Sequence, residues 1–254
     1  MNDCWVTNLG LLEYGTARAL EKRIVAARKA GAICDVLLLC EHPHVITQGR
    51  NGHRQNLLVS ERVLRQMGVA YFETDRGGDI TYHGSGQLVG YPILKLSEIR
   101  RDVGWYLRSL EEAMIRATRT YGIASTRVAG KTGVWASPET AGGTGEAEEK
   151  LAAIGVHLSR WVTSHGFAYN VATDLRYFDL IIPCGIAGRK ATSLEKLTGR
   201  RVDVSEVAAR VTQQLGEVMG LNMLPIAPGE LQARLQDFEK EAAKAAPLEV
   251  AARV

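Results

Sequence analysis

The chain has 254 residues, 46% hydrophobic and 23% charged, an ordinary globular composition with enough length for one large domain or two small ones. Its formal charge of +3 suits an acidic protein partner, but a solvated surface explains it more simply. It is far from the dense basic footprint of a nucleic-acid binder. No run of about 18 apolar residues exists, so no transmembrane helix is expected. Met1 to Thr7 lack a basic stretch leading into an apolar run, so no signal peptide is expected either. The four cysteines, Cys4, Cys34, Cys40 and Cys184, match no CxxC or zinc spacing and suit a cytoplasmic protein with reduced thiols. Cys34 and Cys40 flank the apolar run Val36 to Leu39 and read as small core residues.

In chain order, Tyr14 to Ala30 reads as a helix, with Ala17, Leu20, Ile24 and Ala27 at helical spacing and Gly31 to end it. Val36 to Cys40 is a buried strand, and Val45 to Gln48 a second one after the His42-Pro43-His44 turn. Ser60 to Met67 is a short helix and Val69 to Glu73 a strand that leads into a glycine-rich stretch. Gln87 to Leu94 is another strand. Asp102 to Tyr121 is the clearest helix, with Val103, Tyr106, Leu110, Met114 and Ala117 on one face. Ala124 to Val128 and Gly133 to Ala136 read as strands. Ser137 to Glu149 has no periodicity and is expected to be an exposed, mobile loop. Lys150 to Leu158 and Phe167 to Ala172 can pair as antiparallel strands. Thr192-Ser193-Leu194-Glu195 has capping-box spacing for a short helix. Asp203 opens another helix with Val207, Val211, Leu215 and Val218 buried, and Glu230 to Ala245 is a charged helix that frays. Strands in adjacent runs, without strict alternation with helices, point to an α+β fold with a mixed or antiparallel sheet packed by helices. One domain is expected over residues 1–227, with residues 228–254 as a helical extension.

Three islands carry chemistry. The first, Arg76 to Gln87, packs four glycines among polar groups. It is neither GxGxxG nor a P-loop, and a tight hairpin and a binding loop both remain open. The second is Lys150 to Gly155 with His165 to Asn170. A lysine that opens an apolar strand is ordinarily a solvated edge residue, whereas partial burial would make it a usable proton carrier. Ala153, Gly155 and Gly166 have so little side chain that they would leave room for an acyl chain. The third is Leu180-Ile181-Ile182-Pro183-Cys184-Gly185, a thiol on a turning backbone after an apolar strand. Taken alone, that segment favours a passive buried cysteine.

Together the islands resemble the lipoyl(octanoyl) transferase family, from about Leu38 to Leu221. The signature Arg-Gly-Gly-x-x-Thr-aromatic-His-x-x-Gly-Gln is met at Arg76 to Gln87, followed by Tyr91-Pro92. Lys-x-x-x-Ile-Gly is met at Lys150, His-Gly-Phe-Ala-x-Asn at His165, and Ile-x-Pro-Cys-Gly at Cys184. Two departures are the long segment before Lys150 and the tail after Ala227.

The resemblance implies the α+β fold shared with biotin and lipoate protein ligases. It implies catalytic residues Cys184 and Lys150, and substrate-lining residues Arg76, Gly77, Gly78, Asp79, Ile80, Thr81, Tyr82, His83, Ala153, Ile154, Gly155, Gly166, Phe167 and Ala168. For His83 and His165, positioning and structural hydrogen bonding stay equally open. It further implies an octanoyl donor, acyl carrier protein, whose phosphopantetheine arm delivers the acyl group, with no metal and no cofactor of the enzyme's own. The implied acceptors are lipoyl domains of 2-oxoacid dehydrogenases and the glycine cleavage H protein; neither nucleic acid nor membrane is a partner. The alternatives are an ATP-dependent lipoate or biotin protein ligase, which needs no cysteine, and a non-catalytic acyl-binding scaffold.

Overall fold

The structure is a computed structural model that describes residues 1–136, 149–182 and 190–245. Three expectations therefore lie outside the described residues: the loop character of 137–148, the setting of Cys184, and the end of the C-terminal tail.

Eight strands form the large sheet: β1 (Asn2–Leu11), β2 (Asp35–Glu41), β6 (Gln87–Ile93), β7 (Ser125–Val128), β8 (Lys131–Ala136), β9 (Glu149–Ser159), β10 (Val162–Asn170) and β11 (Leu221–Pro225). Their order across the sheet is β11-β1-β2-β6-β10-β9-β8-β7. β1 runs parallel to β2 and β11, while every pair from β2 to β7 is antiparallel. A small sheet pairs β3 (Val45–Gln48) in parallel with β4 (Ala70–Glu73) and antiparallel with β5 (Ile80–His83). The fold is thus α+β with a mixed sheet, as the adjacency of strand runs implied.

Both faces of the large sheet are covered. On β2, Leu37 and Leu39 pack with helices α4 (Val103–Arg119) and α6 (Val204–Met219), while Val36, Leu38 and Cys40 pack with α1 (Tyr14–Ala30) and α7 (Pro228–Ala245). A strand buried on both sides has no polar face to show, which is why β2 reads as a continuous apolar run. α7 docks through buried Leu231 and Leu235, and Arg23 of α1 forms an ion pair of 2.6 Å with Glu239. The small sheet has its own core of Ile46, Leu64, Ile80 and Tyr82 against α2 (Glu61–Gln66). α3 (Leu96–Ile99) and α5 (Leu194–Thr198) are single turns.

Several expectations are corrected. β1 and β11 carried no reading in the sequence, and Ile80–His83 is a strand rather than one arm of a hairpin within the glycine stretch. Leu175–Leu180 is a 3-10 helix, so no strand precedes residue 183; Ile181 makes only an isolated bridge to Leu57. The cap of α5 is Ser193, which accepts from the Lys196 N–H, and not Thr192. Glu149 belongs to β9 and pairs with Lys196 at 2.7 Å, so the expected loop ends before it.

Leu38, fully buried at the centre of the sheet, sets the stability test. Leu38→Ala is expected to cost about 2–5 kcal/mol in urea unfolding, from lost transfer energy plus an unfilled cavity. A loss under 1 kcal/mol would contradict this packing.

Candidate active site

A cavity of about 580 Å³ opens where the two sheets meet, within the roughly 300–1,000 Å³ usual for small-molecule sites. Lys150 lines it, with Arg76, Gly77, Gly78, Asp79, Ile80, Thr81 and His83 from the first island. Ala153, Ile154, Gly155, His165, Gly166, Phe167 and Ala168 line it from β9 and β10. Tyr82 does not. Side chains alternate along β5, so Tyr82 turns away from Thr81 and His83 into the small core. There it stacks on Tyr177 and donates or accepts a hydrogen bond with His44 Nδ1 at 2.7 Å. Cys184 lies outside the described residues. The described chain on either side of it is anchored: Ile182 N–H donates to Asn56 O, and Lys190 O accepts from Lys150 N–H at 3.0 Å. Lys190 and Ala191 line the cavity beside Lys150.

The two glycines among the small residues also serve the fold. A Cβ on Gly155 would stand 2.8 Å from Gly77 O, and one on Gly166 would stand 2.1 Å from Gly90 O. Their missing side chains let the protein's own backbone approach closely, and both residues, with Ala153, line the cavity.

The cavity exists because β8 parts from β9. The two strands pair at Glu149, Lys150 and Ala152 and no further, with a register shift at Val134/Trp135. At the point of departure Gly133 has φ +126°, and its N–H goes to the Glu111 carboxylate of α4 at 3.0 Å instead of to β9. Glu111 is fully buried and is held by Arg108 and Arg127, at 2.6 and 3.1 Å. A buried carboxylate paired in this way is fixed in place, since unpairing it in a low-dielectric setting is costly. The tip of the β7–β8 hairpin, Gly130 to Thr132, then lines the cavity, and the Lys150 ammonium sits 4.7 Å from the Trp135 ring centroid.

On the opposite wall a polar chain fixes His83. Gln87 Nε2 donates to the Tyr82 carbonyl and to Asn170 Oδ1, which aims Gln87 Oε1 at His83 Nδ1, 2.7 Å away. His83 therefore carries its proton on Nδ1. Thr47 Oγ1 accepts from Arg76 Nε and Nη2 at 3.2 and 3.0 Å, and its own proton goes to His83 Nε2 at 3.3 Å. Arg76 also donates to Thr47 O at 2.7 Å and Gly77 O at 3.0 Å, so it shapes the loop as well as lining the cavity. Burial, helped by His42 and the Arg76 charge, pushes His83 down to about 3. At neutral pH it is an uncharged imidazole.

His165 is the third fixed group. It is a non-glycine residue at φ +56°, held there by donation of its N–H to the buried carboxylate of Glu21. Its Nε2 lies 2.8 Å from Asp75 Oδ1, and Arg18 bridges Glu21 and Asp75 at 2.6 Å to each. Burial lowers His165. Burial raises the Asp75 carboxyl, but the hydrogen bond and charge of His165, together with Arg18, outweigh it and hold the group at about 2.

Sequence reasoning missed Tyr14, Val89, Leu107, Lys131, Trp135 and Lys190, which also line the cavity, as well as Glu111 and Glu21 behind it. Glu111 had a signal, since an acid beside Leu110 falls on the buried face of α4. Tyr14 had none, because the first residue of an amphipathic helix reads as core.

His83 sets a pH test. Its folded-state pKa is depressed, so below about 6.5 the unfolded chain binds the proton that the folded one refuses, and stability falls as pH falls towards 3. Between pH 7 and 5 the drop in unfolding free energy is expected to be about 2 kcal/mol smaller in His83→Gln than in the parent. Equal drops in urea titrations at the two pH values would contradict a buried neutral His83.

Residues 13–216 match the family described as the lipoyl protein ligase A/B catalytic domain. The octanoyltransferase of Solibacter usitatus is 50% identical over 225 residues, spanning 89% of this chain and 97% of that one. The octanoyltransferase of Koribacter versatilis is 46% identical, spanning 90% and 92%. Among solved structures, a bipartite lipoate protein ligase from Thermoplasma acidophilum shares the fold at TM-score 0.70 with 14% identity, covering 95% of this chain and 93% of that one. A lipoate-protein ligase A bound with ATP does so at TM-score 0.67 with 15% identity, covering 94% of each chain. The chain belongs to the octanoyltransferase family of acyltransferases, within the lipoyl protein ligase A/B catalytic-domain family.

Proposed function

We propose that the protein transfers an octanoyl group from acyl carrier protein to a lysine of a lipoyl domain, through a thioester on Cys184. The observation that carries this reading is the position of Lys150. It stands at the border of a mostly apolar cavity, and its main chain is clamped between Lys190 and Thr192, shortly after Cys184 in sequence. Val89, Tyr91, Phe167 and Ala168 give walls suited to an alkyl chain.

A thiol of pKa about 8.5 is only a few per cent ionised at neutral pH, so the nucleophile needs help. The Lys150 ammonium stabilises the Cys184 thiolate. The thiolate attacks the carbonyl of the octanoyl thioester, a C–S bond forms, and the pantetheine sulfur leaves as a thiol with the proton of Lys150, which becomes the free amine. Thioester exchanges for thioester, so no ATP is consumed. The amine of the acceptor lysine then attacks the acyl-enzyme, the C–N bond forms, and Cys184 leaves as thiolate. Lys150, as free amine, takes the proton from the incoming nitrogen. The amide product is more stable than the thioester and drives the second step.

Lys131 and Lys190 at the same end of the cavity suit an acidic carrier protein. The acceptors that fit are the lipoyl domains of 2-oxoacid dehydrogenases and the glycine cleavage H protein, and the setting that fits is the cytoplasm. No helix of the described residues is long and apolar enough to cross a membrane.

Incubation with octanoyl carrier protein, without ATP, is expected to add one octanoyl mass to the parent and none to Cys184→Ser. An adduct on Cys184→Ser, or a strict ATP requirement, would overturn the reading. Lys150→Met is expected to shift the pH profile of iodoacetamide alkylation at Cys184 upward by at least one unit; an unshifted profile would remove Lys150 from activating the thiol.

A further inference from the structure

Successive residues of an antiparallel strand direct their main-chain groups to alternate sides. On β9, beyond the register shift at Val134/Trp135, Ala152 pairs with Val134 of β8 and Val156 O accepts from Gly77 N–H at 2.9 Å. These residues all face away from β10. Ile154 has the same parity, so its N–H and C=O face the same way. There β8 has already departed, and no described residue pairs with Ile154 on that edge. A free strand edge thus runs along the cavity between the Gly77 loop on one side and the Gly130–Thr132 turn on the other.

The cavity also wraps around this edge. Val89, Tyr91 and Ala168 belong to the sheet face covered by α1, whereas Ile154 and Val156 pack with the core on the α4 face. Leu107 of α4 lines the cavity as well. One ligand can therefore place an alkyl chain on the α1 side and continue past the edge on the α4 side.

We propose that the free edge of β9 at Ile154 receives the amide-bearing arm of the acyl donor, which lies beside β9 as an added strand. This rests on the thioester-transfer reading above and specifies how the donor is recognised. A pantetheine arm carries two secondary amides, each with one N–H and one C=O, separated by a short flexible spacer. Ile154 offers one donor and one acceptor, and the N–H of Val156 a second donor. Strand addition gives affinity through main-chain hydrogen bonds without demanding particular side chains. The arrangement explains why β8 is held off β9: a fully paired ladder would leave nothing for the donor to bind.

The test uses the unaltered full-length protein and three octanoyl thioesters: of pantetheine, with two amides; of N-acetylcysteamine, with one; and of butanethiol, with none. The second-order rate constant of acylation, read by intact mass, is expected to fall about tenfold for each amide removed, the worth of one net hydrogen bond. Rate constants within twofold of one another would overturn the proposal, while transfer from none of the three would count against the thioester-transfer reading itself. Hydrogen exchange provides an arm independent of turnover. The unreactive octyl thioether of pantetheine is expected to slow exchange at Ile154, and octyl butyl sulfide is not. Equal exchange with both would overturn the assignment even if acylation proved unmeasurable.

Discussion

The site depends on where one backbone N–H goes. Gly133 donates to the buried carboxylate of Glu111 and not to β9, and the rest of the geometry follows. β8 bends off the sheet, the edge of β9 at Ile154 is left unpaired among the described residues, and the hairpin tip becomes a wall of the cavity. An open edge in a sheet is ordinarily a hazard that proteins cover or charge. Here it is enclosed within a cavity and hemmed by the Gly77 loop, so it is accessible to a slender ligand and shielded from another sheet.

The same economy of means governs the opposite wall. His83, Thr47, Arg76 and Gln87 satisfy one another's hydrogen bonds in an order that leaves each donor an acceptor. His165 is held in a left-handed backbone conformation by Glu21. Satisfied buried networks are rigid, because breaking any one bond strands a polar group in a low-dielectric interior. The walls are thus preorganised around an apolar space. Charge is concentrated at one end, where Lys131, Lys150 and Lys190 converge. That separation of an oily interior from a basic rim matches a substrate with an alkyl chain at one end and an anionic carrier at the other.

Much of this was legible in the sequence where local physics decides. α1 runs from Tyr14 to Ala30 as its spacing implied, and Asp102 and Asp203 cap α4 and α6 because their carboxylates meet the first free N–H groups. The three islands were found from glycine content and polar residues at apolar boundaries, and those that are described converge on one cavity. What stayed illegible was set by distant partners. β1 and β11 are strands because they lie against each other, across more than two hundred residues of sequence, which no local pattern reports. Tyr82 sits in the middle of a motif whose neighbours line the cavity, yet the pleat of β5 sends it the other way. Gly155 and Gly166 line the cavity and are also points of close backbone contact, which their size alone did not report. Neither Glu111 nor Glu21 belongs to any motif, because each acts through a main-chain N–H.

The most direct measurement is a crystal structure of the protein trapped after one acylation with octanoyl thioester and no acceptor. The octanoyl carbonyl is expected on Cys184 Sγ, within reach of Lys150 Nζ, with the alkyl chain running past Ala168 and Tyr91 inside the cavity. An acyl chain on another residue, or one lying outside this cavity, would contradict the central claim.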